Sequence, residues 1–84
     1  MKIVWDEPKR ISNIEKHGFD FAALEDAFFD DATIIPAKMG RYKAIGVLED
    51  GTIVVIFATL GTEAYSIISM RPARPDERRL YHGS

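Results

Sequence analysis

Two groups of side chains in this chain have the types and spacing to handle a phosphate. The first lies in Arg71-Pro72-Ala73-Arg74-Pro75-Asp76-Glu77-Arg78-Arg79-Leu80-Tyr81, where an apolar run ends at Arg71 and two prolines turn the chain into a short helical pattern. Proline fixes its own φ and biases the preceding residue toward extended backbone, so this corner is stiff. Arginines on a stiff corner at a strand end are arranged like a phosphate clamp, because the planar guanidinium binds phosphate with two parallel hydrogen bonds. The competing account is an exposed C-terminal helix with solvated charges. The second group is Lys9, Asn13, Lys16 and His17, which fall on one stripe of a helix. Histidine is the residue type suited to proton transfer at physiological pH, which makes His17 a candidate. It also stands at a helix end, where a histidine often serves only free carbonyls.

The elements that must position these groups can be read in order. Lys2-Ile3-Val4-Trp5 is a short strand. Asp6 caps a helix with Glu7 and Pro8 in its first turn, and Gly18 stops it after His17. Asp20 caps a second helix ending near Asp30-Asp31, with Phe21, Leu24, Ala27 and Phe28 on its buried face. From Thr33 the pattern becomes strands: Thr33-Ile34-Ile35, then Arg41 to Leu48, then a hairpin at Glu49-Asp50-Gly51. Thr52 to Ala58 is apolar on both faces and reads as the central strand. Glu63 to Arg71 is the last strand, and a short C-terminal helix follows. The expectation is a single α+β domain over residues 1–84, in which a short N-terminal strand and two helices pack on a mostly antiparallel four-stranded sheet. Ile53, Val55 and Phe57 cannot share a side with Val54, Ile56 and Ala58. The C-terminal helix is too small to cover the second set alone, which implies a partner protein.

Composition bounds the function classes. The chain has 84 residues, 46% hydrophobic and 29% charged, which describes an ordinary globular chain. It has no cysteine, so disulfides and thiolate metal sites are excluded. No apolar run approaches the ~20 residues of a membrane span, Lys2-Ile3-Val4-Trp5-Asp6 is too short for a signal peptide, and a cytoplasmic protein is expected. The net charge of −2 argues against coating a long polyanion. Yet the acids concentrate in residues 20–31, which contain no cation, while both ends are mildly basic. If those ends meet, they make a local positive site. No residue set has metal-ligand spacing, and no glycine loop follows a strand so as to cradle a nucleotide.

Trp5-Asp6-x-x-Lys9-x-x-x-Asn13-x-x-Lys16-His17-Gly18, then Phe21 and Ala27, Arg41 and Gly46, and Ile67-Ile68-Ser69-x-Arg71-x-Ala73 with Glu77, Arg78 and Tyr81, resembles the BrnT toxins. The resemblance covers nearly the whole chain. It implies a RelE-like fold and metal-independent RNA cleavage that inhibits translation, with no cofactor. It further implies neutralisation by a BrnA-type antitoxin, so that operator DNA is touched only through that partner. On this footing Arg71 and Arg41 stabilise charge on the scissile phosphate, while Lys9, His17 or Tyr81 moves protons. Arg74, Arg78 and Lys16 contact RNA, Glu77 orients an arginine, and Trp5 and Asn13 support the frame. One departure stands out. Many relatives carry a longer hairpin, with His and Glu, before the arginine corresponding to Arg41, whereas here the loop is only Pro36-Ala37-Lys38-Met39-Gly40. The shortened loop also admits another account, a toxin fold that only binds its antitoxin and co-represses the operon.

Overall fold

A computed structural model describes residues 1–83. Strand β1 (Lys2–Trp5) leads into helix α1 (Glu7–His17), a 3₁₀ turn (Phe21–Ala23) and helix α2 (Asp26–Asp31). Strands β2 (Thr33–Pro36), β3 (Tyr42–Leu48), β4 (Gly51–Leu60) and β5 (Ala64–Pro72) follow, and helix α3 (Pro75–His82) ends the fold. The sheet order is β1-β5-β4-β3-β2, so β4 is the middle strand. The sheet has five strands, not four, because β1 pairs in parallel with β5 while every other pairing is antiparallel. A parallel edge pairing leaves little mark in four residues of sequence, since it depends on the return path of a strand sixty residues away.

Local chemistry explains most boundaries. Glu7 and Pro8 suit the first turn of α1, Lys16 and His17 its last, and Gly18 takes the left-handed conformation (φ 75°), donating its N–H to the Ile14 carbonyl. Asp6 occupies the N-cap position without a side-chain capping bond, contrary to expectation. The second helix is also different. Asp20 caps only the 3₁₀ turn, through Ala22 N–H, and Leu24 is extended before α2 begins. After this break α2 buries the adjacent rings of Phe28 and Phe29 and leaves Ala27 exposed.

The two faces of the sheet are unequal. One carries Ala44, Ile53, Val55, Phe57, Ile67 and Met70 against Phe21, Leu24, Phe28 and Phe29, and this is the main core. Gly46 permits the contact of α2 with β3, since a Cβ there would lie 2.9 Å from Phe28 Cε1. On the opposite face, Ile45 and Val54 are register partners and fully buried, while Ile56 is half-buried. The C-terminal helix α3 covers part of this face through Glu77 and leaves the end toward residues 36–43 open.

Candidate nucleic-acid interface

The open half of the second face owes its shape to three local features. The first is the corner after β5. Ala73 N–H bonds the Thr52 carbonyl (3.0 Å), which extends the β4–β5 ladder and anchors the turn between Pro72 and Pro75. Glu77, the third residue of α3, reaches back to the Arg74 N–H at 2.9 Å, half of a capping box. Its two oxygens also accept from Arg71 Nη1 and Nη2, both at 2.8 Å, and Oε2 accepts from Lys43 Nζ at 3.1 Å. The Glu77 side chain is only 3% exposed. Arg71 foremost, with Arg74 N–H and Lys43, holds the Glu77 carboxyl far below the usual carboxylate range, although burial opposes the shift. The Arg71 guanidinium is correspondingly raised by its bonds to Glu77. A carboxylate so saturated is a poor base. It is a clamp that fixes α3, Arg71 and Lys43 to the sheet.

The second feature is the loop between β2 and β3. Lys38–Gly40 makes a tight turn closed by Ala37 N–H to the Arg41 carbonyl (2.8 Å), with Met39 and Gly40 both left-handed (φ 61° and 72°). This turn projects Met39, 86% exposed, and raises a rim beside the sheet. Lys38, Arg41, Lys43, Met39, Pro36 and Ile56 line the resulting open groove of about 650 Å³. Among the described residues Arg41 and Lys38 form no ion pair, and Lys43 shares Glu77 with Arg71.

The third is the seat of α1. Beyond Trp5, β1 no longer covers β5, and Asn13 takes over. Its Oδ1 accepts Met70 N–H (3.0 Å) and Ser69 Oγ–H (3.3 Å), and its Nδ2 donates to the Phe19 carbonyl. Asn13 is thus a one-residue substitute for an edge strand. Ser69 pairs with Ile56 whereas Phe57 pairs with Ile67, so Ile68 is an extra, bulged residue at this point. Lys9, Ser12, Lys16 and His17 stand over it in a smaller depression of about 280 Å³ with Ile68 and Ser69. The two depressions approach each other across the Ile56–Ser69 pair. Trp5 lies at the other side of the helix base, edge-on to Phe21, and donates to Glu7, which with Asp20 binds Arg10. Bonds to Arg10 and Trp5 lower the Glu7 carboxyl, and the Ala22 N–H and then Arg10 lower that of Asp20.

The expected site residues therefore separate into groups. Arg41 lines the larger groove. Lys9, Lys16 and His17 stand together in the smaller one. Arg71 lines neither, its fork being closed on Glu77. Tyr81 is elsewhere: one turn after Glu77, it lines a depression with Glu25, Asp31, Glu49, Val47 and Leu48, among acids rather than cations. Arg78 faces outward with Arg79 and His82 on α3, and Arg74 is exposed. Lys43 and Lys38 were missed. The signal for Lys43 is its phase in β3, which puts the strand's one cation on the Ile45 side. Among the described residues no group of three or more His, Asp or Glu side chains is gathered at metal-binding distances, and no helix is long and apolar enough to cross a membrane.

The structure is a small α+β domain whose half-open sheet face has cations along both sides. Comparison with known proteins identifies its kind. The family model described as the ribonuclease toxin BrnT of type II toxin–antitoxin systems matches residues 5–77. The crystal structure of the Brucella abortus ribonuclease toxin BrnT superposes with a TM-score of 0.84 at 53% identity, over 88% of this chain and 97% of that one. No match is found among the curated proteins. The chain belongs to the BrnT family of ribonuclease toxins, and an antitoxin is the partner that a type II system implies.

Proposed function

We propose that this chain is a cytoplasmic endoribonuclease toxin of RelE-like architecture that cuts RNA without a metal ion, arrests translation and is neutralised by a BrnA-type antitoxin, with operator DNA reached only through that antitoxin. Metal-free cleavage attacks the phosphate with its own 2′-hydroxyl. The enzyme must take that proton, stabilise charge on the phosphoryl oxygens and protonate the leaving 5′-oxygen. The observation that carries the reading is the groove of Arg41, Lys43 and Lys38 beside the Lys9–Lys16–His17 depression, cations where the charge develops and a titratable imidazole close by. In this reading Arg41 and Lys43 stabilise the phosphate, and His17 or Lys9 moves protons. Arg71 serves by holding Glu77, and Tyr81 has no chemical role.

One observation favours a second reading. The Arg71 fork is already closed on Glu77, so β5 offers no free guanidinium; a non-cutting module that binds antitoxin and co-represses would have this property. Expression without antitoxin separates the two. Growth arrest, with RNA fragments ending in 2′,3′-cyclic phosphate and formed equally in excess EDTA, supports the nuclease. Normal growth with intact RNA supports the binding module.

A further inference from the structure

Eight of the nine aromatic rings of the chain belong to the main core or pack against it: Trp5, Phe19, Phe21, Phe28, Phe29, Tyr42, Phe57 and Tyr65. The ninth, Tyr81, lies in the acidic depression at the far end of α3. The two cationic depressions therefore contain no Phe, Tyr or Trp. Their floor is Ile56, Ile68 and Ser69, and the one ring along them is the His17 imidazole. Bases of a single strand are gripped by stacking on aromatic faces and told apart by hydrogen bonds to their edges, whereas phosphate contacts carry no sequence information. The floor offers no aromatic face, and Asn13 and Ser69 are already bonded to each other, with Asn13 also holding the Met70 N–H. A second observation concerns span. Neighbouring strands are ~4.8 Å apart, so Lys43 on β3 and Ser69 on β5 are roughly 10 Å apart across β4. The α1 cations lie beyond Ser69. That path is longer than one phosphodiester.

Resting on the nuclease reading, we infer that the face binds single-stranded RNA by at least two successive phosphates, one at Arg41 and Lys43 and the next toward Lys9 and Lys16, and that the chain alone is indifferent to base sequence. Selection of particular RNAs is then imposed from outside the groove, by where single strands are exposed.

The test is fluorescence anisotropy with 2′-O-methyl 12-mers, which lack the nucleophile and are not cut. Binding of oligo-U, oligo-A and a mixed sequence should agree within about threefold, and a duplex of the mixed sequence should bind at least tenfold more weakly. Each phosphate contact contributes ~0.7 to the slope of log K against log salt for single strands. The double variant K9A/K16A should therefore lose about 1.4 of that slope, and R79A on the outer face of α3 none. A preference above tenfold among the single strands, duplex binding equal to single-strand binding, or an unchanged slope in K9A/K16A overturns the inference. Cleavage of a natural RNA, measured in parallel, reports on the nuclease separately: cutting with an unchanged slope refutes the path alone, and the expected slope without cutting upholds the path while refuting catalysis.

Discussion

Removing the charge of Glu77 should unfasten α3 from the sheet. The carboxylate is 3% exposed, carries two hydrogen bonds from Arg71 and one from Lys43, and caps the Arg74 N–H. Deleting one partner of a buried ion pair costs about 3–5 kcal/mol, because the remaining charges are left uncompensated. A chain of this size has about 4–13 kcal/mol of total stability. Glu77→Ala should thus lose about a quarter of it or more, and Glu77→Gln, which keeps volume and some acceptor capacity, about 2–3 kcal/mol. The pH dependence identifies the cause. The folded carboxyl titrates below its ordinary value of 4.5, so its contribution is complete above that pH and declines as pH falls toward the folded value. Urea titrations of wild type and Glu77→Gln between pH 7 and pH 3 should show a gap that is full and constant down to about 5 and narrows below 4.5. A gap that stays the same to pH 3, or one under about 0.5 kcal/mol at pH 7, would refute the clamp.

Other variants test the frame. Gly46→Ala pushes a methyl to 2.9 Å from the Phe28 ring and should cost about 1–3 kcal/mol, read as a fall of several degrees in Tm. Asn13→Ala strands the Met70 N–H at the β5 edge and should cost about 1–3 kcal/mol in urea, with faster amide exchange at Met70. Met39→Gly relieves a left-handed residue at an exposed tip and should gain about 0.5–1 kcal/mol, against the usual direction of glycine substitutions.

What could be read without coordinates was whatever depends on near neighbours. Gly18 ends a helix because only glycine is at ease there, and Glu49-Asp50 makes its turn in place. The two-faced apolar strand announced its own central position. Asn13 and Glu77 were recognisable as supports, for each sits where a helix must be tied to something. Long-range facts were hidden. The pairing of β1 with β5 follows from the path of the whole chain. The break at Leu24, which splits the expected second helix into a 3₁₀ turn and α2, is marked by no glycine or proline between Asp20 and Asp31. Tyr81 and Arg71 stand ten residues apart in one basic segment, yet helical rotation carries Tyr81 to an acidic depression at the other end of α3. Lys43 was concealed for the opposite reason: its phase in β3 tells which face it shares with Ile45, but only the bond to Glu77 shows what that face holds.

The most direct test of the groove is the rate at which purified chain cuts a defined single-stranded RNA, compared between Arg41→Ala and Arg79→Ala. Loss of one preorganised charge at the reacting phosphate should slow cleavage by about 10²–10³-fold in Arg41→Ala, and the outward-facing Arg79 should be dispensable. If the folded Arg41→Ala protein cuts as fast as wild type, the reaction takes place somewhere else on the molecule.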